Sequence, residues 1–323
     1  MSPRTAPGPV VVLGGAGFVG RHVCAAFAAL GREVVVVGRR PAPNLDHRQL
    51  TLDLSRAPAP ELARLFDSLA PTVVVNAVGG VWEVDDAQMA ASNTTATERL
   101  LAALAEAATR PRLVQLGSVL EYGPVPTGER VGERTPTRPE STYGRTKLAA
   151  TTAVLAACAE GRVHGLVLRL ANAAGPGAPA VSLLGRVADR LARVRAGTAD
   201  PVVELGPLRA CRDYIDVRDI ADAVVAAAGV PASGRAVAIG RGEAVPVRDL
   251  VDLLVAVSGV TVRIVESDHA SSGRAGADWL AVDPAGARKV LGWAPRRSLR
   301  EAVAALWAEA VAETAHEPLP TPR

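Results

Sequence analysis

The sequence predicts an α/β protein: a doubly wound parallel sheet joined to a smaller C-terminal α+β lobe. Three observations carry this expectation. In the first half, short Val-rich runs alternate with Ala/Leu-rich helical stretches, the rhythm of successive βαβ units. The runs are continuously apolar rather than alternating, as strands covered by helices on both faces require. After Leu170 the rhythm is lost, and "ANAAGPGAPA" and "RAGTADP" give Gly/Pro/Ala punctuation around one helix.

Taken in order, strands are predicted for "VVVL" 10–13, "EVVVV" 33–37, "QLTLD" 49–53, "TVVVN" 72–76, "RLVQLGS" 112–118 and "VHGLVLRL" 163–170. Between them, helices are expected near 18–30, 60–70, 87–109 and 142–160, where apolar residues recur at helical spacing. The second half offers a helix near 180–195, another at about 217–228 and a strand "AVAIG" 236–240 that returns to the sheet. "PVRDLVDLLVAVSG" then reads as a helix, "VTVRIVE" as a strand, and "DPAGARKVLGW" and "SLREAVAALWAEAVAE" as helices. The division that follows assigns 1–170 plus 214–240 to the sheet domain, 171–213 plus 241–312 to the second lobe and 313–323 to a tail. Only the two termini look disordered, and no internal repeat is present.

Composition narrows the function classes. The chain has 323 residues, 49% of them apolar and 21% charged, with a net charge of +3. No window approaches 18 uninterrupted apolar residues, so no membrane partner is expected. The start, "MSPRTAPGPV", lacks an apolar leader segment, which predicts a cytoplasmic location. Cys24, Cys158 and Cys211 are far apart, and the five histidines form no H-E-x-x-H or H-x-H pattern, so neither a disulfide framework nor a metal is expected. The arginines are scattered without interleaved aromatics, which argues against a nucleic-acid partner.

"VVLGGAGFVGRHV" places Gly14, Gly17 and Gly20 directly after the first strand and into the first helix. Such a turn lets backbone N–H groups approach a pyrophosphate and seats it on the helix N-terminus. The second strand lacks the terminal acid that would hold the ribose diol of NAD; "VVVVGRR" ends instead in Gly38, Arg39 and Arg40. Guanidinium groups grip a 2′-phosphate in forked fashion, so NADP(H) is favoured, with NAD possible. Asp53 then suits the adenine amino group, or simply caps a turn.

Tyr143 and Lys147 form Y-x-x-x-K in a chain with three tyrosines and two lysines, a pattern expected by chance about 0.02 times. At i and i+4 on a helix they share one face. An ammonium beside a phenol favours the phenolate and pulls its pKa toward neutrality, the tuning that acid–base chemistry needs. A compact ammonium reaches both a ribose and a tyrosine ring, where a planar guanidinium does not substitute.

The glycine turn, "GSVLEYG" and "YGRTK" together resemble the extended short-chain dehydrogenase/reductase family, in its nucleotide-sugar epimerase/dehydratase branch, from about residue 9 to 310. The resemblance implies a Rossmann-type sheet with a substrate-binding C-terminal lobe and a nucleotide-diphosphate sugar as partner. It makes Ser118, four residues before Tyr122, the group that hydrogen-bonds the reacting sugar oxygen, and it places Asn93 beside the active-site water. It extends the cofactor contacts to Phe18, Val19, Leu54, Asn76 and Ala77. "LRLANAAGPG" resembles R-x-x-N-x-Y-G-P, so Asn172 would contact the diphosphate, with Ala174 in place of the usual Tyr. "CRDYIDVRDIADAV" resembles R-D-Y-I-H-V-x-D-x-A-x-A; Arg212 would grip the diphosphate, while Asp216 stands where His is common. Leu13 stands where Thr normally precedes the glycines. "KVLGWAP" 289–295 resembles a structural packing segment. In relatives the helices equivalent to 87–109 and 142–160 build a homodimer, which is expected here too.

Within this branch, dehydratases carry Asp and Glu directly after the catalytic Thr, where this chain has Val119 and Leu120. Epimerases hold NAD through an acid after strand two, and Gly38 is not that acid. The expectation is therefore an NADPH-dependent reductase resembling the NDP-4-keto-6-deoxyhexose 4-ketoreductases of deoxysugar and antibiotic biosynthesis. A 4-epimerase with retained NAD is the alternative, and an NADP-binding sensor without turnover a more remote one.

Overall fold

The structure, a computed structural model, describes residues 8–80, 84–267 and 278–316. Valine builds its first half. β1 (Val10–Leu13) is buried throughout, and its neighbours in the chain are α1 (Phe18–Ala29), β2 (Val34–Gly38), β3 (Arg48–Thr51), α2 (Ala59–Leu69) and β4 (Val73–Asn76). Next come α3 (Asp86–Ala90), a π-helical turn over Ala91–Thr95 and α4 (Ala96–Glu106). β5 (Arg112–Ser118), β6 (Arg130–Val131), α5 (Thr142–Ala159), β7 (Gly165–Leu170) and β8 (Asn172–Ala174) follow. The remainder runs α6 (Leu183–Arg195), β9 (Val202–Leu205), β10 (Cys211–Asp216), α7 (Val217–Gly229), β11 (Arg235–Ile239) and β12 (Ala244–Pro246). It ends in α8 (Val247–Ser258), β13 (Arg263–Glu266), β14 (Trp279–Val282), α9 (Ala285–Leu291) and α10 (Leu299–His316).

Seven parallel strands form the main sheet in the order β11-β7-β5-β4-β1-β2-β3. Successive side chains of a strand point to opposite faces, and the two faces of β1 serve different cores. Val10 and Val12 pack with Val23 and Phe27 of α1 and Ile220 and Val224 of α7. Val11 and Leu13 pack with Phe66 of α2, Leu100 of α4 and Val154 of α5. Helices on both faces explain why every β1 position is apolar. A third core gathers Leu191 of α6, Leu254 of α8 and Trp307 of α10. The strand order reverses between β1 and β4, and such a switch point opens a crevice at the strand carboxyl ends.

The structure corrects several sequence expectations. The helix expected over 87–109 is broken into three pieces by the π-helical turn at Ala91–Thr95. The loss of βαβ rhythm after Leu170 does not mean loss of strands: β8, β10, β12 and β14 form a second sheet with β6, and β13 pairs with β9. β10 escaped because its half-buried, mixed pattern "CRDYID" has no apolar run. β3 ends at Thr51, so Asp53 lies in the turn beyond it. α10 continues through His316, past the expected tail boundary at 313, and the rest of the expected disordered ends, 1–7 and 317–323, lies outside the described residues. Trp293 of the packing segment is buried in the first core, as expected of a structural element.

Candidate active site

The turn after β1 is shaped by its glycines. Gly14 has φ +75°, and a Cβ there would come within 3.0 Å of the Ala77 carbonyl on the loop after β4. The two loops at the switch point therefore touch through Gly14. A Cβ on Gly20 would fall 2.2 Å from the Gly14 oxygen, so only glycine lets α1 start this close to the turn. Gly17 is the N-cap of α1, with no side-chain cap and no acid in the first turn. The backbone N–H groups of that first turn, Phe18 and Val19 included, are left for an anion.

A cleft of about 630 Å³ opens here, walled by Gly14, Gly17, Arg39, Asp53, Leu54 and Ala77, and it reaches Gly79, Gly80 and Ser92. A glycine cradle under an uncapped helix start, with a cation at one end, fits a dinucleotide. Arg40 is exposed and stands outside that wall, whereas Arg56, unremarked in the sequence, is part of it. Asp53 accepts from the Ser55 N–H and hydroxyl at 3.0 and 2.7 Å, and chiefly these bonds hold its carboxyl below the usual range. Asn76 lies beneath the cleft, donating to Gln115 Oε1 at 2.9 Å and accepting from Val78 N at 3.1 Å. It shapes the loop after β4 rather than forming the cleft wall. A second hollow, of about 750 Å³ beside β11 and Lys289, contains none of the expected site residues.

Beside the inner end of the cleft α5 packs against the turn after Ser118. α5 begins at Ser141, whose hydroxyl accepts from Gly144 N at 3.1 Å. A Cβ on Gly144 would stand 2.5 Å from the Leu120 oxygen, so its absence lets the first turn of α5, with Tyr143, pack onto the turn after Ser118. Lys147, one helical turn on, is buried, and its Nζ donates to the Leu116 carbonyl at 2.6 Å. Burial pushes its pKa down to about 8, against the opposing pull of Glu121.

Asn93 sits in the π-helical turn, a device often found at functional sites. Its amide nitrogen donates to Gly80 O at 3.1 Å and to Thr146 Oγ1 at 3.0 Å, and the Thr146 proton is committed to Tyr143 O. Those acceptors fix the amide orientation and leave Asn93 Oδ1 buried without a hydrogen-bond partner. Asn93 Oδ1 and Lys147 Nζ lie 3.0 and 3.6 Å from where a Gly79 Cβ would stand, so both face the inner end of the cleft.

Ser118 ends β5. Its Oγ accepts from Leu120 N at 3.2 Å and its own N–H donates to Glu121 Oε1 at 2.8 Å. Glu121, missed in the sequence, was legible as the fourth residue of a capping-box spacing, S-x-x-E. In the second sheet Asn172 pairs in register with Tyr214, so Asn172, Tyr214 and Arg212 share one face. Arg212 donates to the Cys211 carbonyl at 3.2 Å and has no carboxylate within ion-pairing distance among the described residues. Asp216, where His was the family habit, is fully buried as the N-cap of α7 and pairs with Arg218 at 2.6 Å.

The arrangement sets Lys147, Asn93 and the turn after Ser118 beside a cleft that fits a dinucleotide. Known proteins share this chain's sequence and fold. dTDP-6-deoxy-L-talose 4-dehydrogenase (NAD(P)(+)) of Kitasatospora kifunensis is 43% identical over 307 residues, covering 95% of this chain and 96% of that protein. GDP-6-deoxy-D-mannose reductase of Pseudomonas aeruginosa is 27% identical, covering 91% and 94%. The solved structure of MoeE5 in complex with UDP-glucose and NAD is 30% identical with a TM-score of 0.81, covering 95% of this chain and 99% of MoeE5. The sequence model of the NAD dependent epimerase/dehydratase family matches residues 10–240. With that match across most of its length, and with relatives that act on nucleotide sugars, this chain belongs to the NAD dependent epimerase/dehydratase family.

Proposed function

We propose that this chain reduces the C4 ketone of a nucleoside-diphosphate 4-keto-6-deoxyhexose, with NADPH, in deoxysugar biosynthesis. The turn after Ser118 is the main support. Val119 is buried, and the carboxylate of Glu121 is turned inward onto Arg169 at 2.7 Å. No acid of that turn is left to move the protons of a water elimination, so carbonyl–alcohol exchange is the chemistry that Ser118, Tyr143 and Lys147 can serve. The Kitasatospora relative bears a name that describes the same C4 position with NAD(P)+, read in the oxidative direction.

The roles follow from the groups themselves. One Ser118 lone pair is taken by Leu120 N, and its hydroxyl proton remains for the C4 oxygen. Tyr143 gives its proton to that oxygen as negative charge develops there, and Lys147 holds the ribose and stabilises the phenolate left behind. When bound, the nicotinamide supplies the hydride that C4 accepts. Gly14, Gly17 and the first turn of α1 hold the pyrophosphate, Asp53 and Leu54 the adenine, and Arg39 the 2′-phosphate. Arg212 and Asn172, on the shared face of β10 and β8, hold the sugar-nucleotide diphosphate.

Among the described residues no helix is long and apolar enough to cross a membrane, and a cytoplasmic homodimer belongs to the same proposal. α5 presents Ala149, Thr152 and Ala156 as an exposed face of small residues, against which a second copy can pack closely; sedimentation velocity at micromolar concentration tests for the dimer.

Absorbance at 340 nm tests the reaction. With dTDP-4-keto-6-deoxyglucose the chain is expected to consume NADPH and form a C4 alcohol visible by NMR. Binding of NADPH without consumption by any keto sugar would favour a sensor. Recovery of tightly held NAD with the purified chain, together with interconversion of C4 epimers, would favour the epimerase.

A further inference from the structure

Glu121 is used by no step above, yet it is fully buried in the active-site turn. Its Oε1 accepts from Ser118 N at 2.8 Å and its Oε2 from Arg169 Nε at 2.7 Å. The Arg169 guanidinium lies 4.7 Å from the centre of the Tyr122 ring. A Cβ on Gly117 would come within 2.6 Å of Glu121 Oε1, so the carboxylate is pressed against the β5 backbone. One residue earlier, the Leu116 carbonyl receives Lys147 Nζ. The buried carboxylate and the buried ammonium thus hold the same stretch, residues 116–118.

A buried ion pair is weak evidence for stability, because an apolar pair of the same shape often serves as well. A charge retained here needs another reason. We propose that Glu121 is a positioning residue of this active site, fixing the turn that aims Ser118 and supplying the anion that keeps Lys147 protonated beside Tyr143. The idea rests on the proton-handling roles proposed above for Tyr143 and Lys147.

The surroundings of Lys147 support this. Tyr143 lies one turn back on the same helix, the π-helical turn contributes the neutral amide of Asn93, and β7 contributes Arg169, already paired to Glu121. The Tyr122 phenol, behind Glu121, is pushed up by burial and is neutral. Among these groups Glu121 is the one whose charge opposes the desolvation of Lys147. Removing it therefore lowers the pH at which Lys147 loses its proton.

Lys147 and Lys289 are the only two lysines, so [13Cε]lysine labelling gives two NMR signals, and K289R leaves one. In that background Lys147 is expected to titrate near 8, and in E121Q its midpoint falls by about half a pH unit or more. E121Q leaves Arg169 buried and unpaired, so E121Q/R169Q is the companion variant: two amides of similar shape, with the acceptor for Ser118 N retained. Its midpoint is expected to fall as well, and kcat for keto-sugar reduction to drop about tenfold with little change in the KM for NADPH. An unchanged Lys147 midpoint in either folded variant overturns the proposal. A lowered midpoint in a chain that reduces no keto sugar upholds Glu121's hold on Lys147 and sinks the reductase assignment instead.

Discussion

Tyr143 and Lys147 are worth more together than apart. A phenol titrating near pH 10 is a slow proton source at neutrality, and a neighbouring ammonium makes its ionised form accessible. Tyr143→Phe is therefore expected to lower kcat between about a hundredfold and ten-thousandfold, with the NADPH dissociation constant, read by fluorescence titration, unchanged within about twofold. At the other end of the cleft, Arg39→Ala is expected to raise the KM for NADPH about tenfold and leave that for NADH alone; equal changes for both cofactors would remove Arg39 from the phosphate site. The Tyr/Lys pair was legible because both residue types are rare in this chain. Arg39 and Arg40 were not separable from sequence, because which of two adjacent side chains faces a crevice depends on how the chain leaves β2. Glu121's tie to Ser118 N was legible as a capping-box spacing, but its pairing with Arg169 and the meeting of Thr146 with Asn93 are contacts closed only by folding.

Elements place these residues where chemistry needs them, and their close approaches are set by missing side chains. Gly20→Ala puts a methyl group 2.2 Å from the Gly14 oxygen, a backbone atom that cannot swing aside. The turn must open or α1 must retreat, which is expected to cost about 1–3 kcal/mol in chemical denaturation and to weaken NADPH binding at the same time. β10 is held from below in a different manner. Buried Asp213 accepts from Arg241 N, Gly242 N and Val282 N at 2.9, 2.9 and 3.1 Å, tying the strand to the connection after β11 and to the end of β14. Asp213→Ala orphans all three donors and is expected to lower stability by about 2–4 kcal/mol, displacing Arg212 beside it and raising the KM for the sugar nucleotide. The parallel sheet was legible because strands buried on both faces leave uninterrupted valine runs in the sequence. β8 has only three residues and β10 mixes polar and apolar positions, so no periodicity marks them, while β14 is an isolated four-residue run, WLAV, with no βαβ rhythm around it. The π-helical turn was invisible for another reason: one extra residue per turn changes hydrogen bonding without any required residue type.

For the molecule as a whole, the active site is a place where stability is given up. Lys147 has its ordinary pKa of 10.5 when the chain is unfolded and about 8 when folded. The folded protein thus binds that proton less readily, and unfolding takes one up between about pH 8 and 10.5. Stability contributed by this group therefore rises with pH across that window, and below it the full cost of burying the ammonium is present. The shift corresponds to about 2–4 kcal/mol at neutral pH, partly offset by about 1 kcal/mol from the bond to the Leu116 carbonyl. Lys147→Met keeps the apolar stem and removes the charge. It is expected to abolish turnover while stabilising the fold by about 1–3 kcal/mol at pH 7, a rise of a few degrees in Tm. At pH 10 the gain should have largely disappeared, because the wild-type lysine is by then neutral in the folded state. Thermal melts of both proteins at the two pH values decide the matter: a variant no more stable than wild type at pH 7, or a gain that persists undiminished at pH 10, would mean that the ammonium is better solvated in the folded chain than its burial implies. In that event the phenol it serves must draw its tuning from elsewhere.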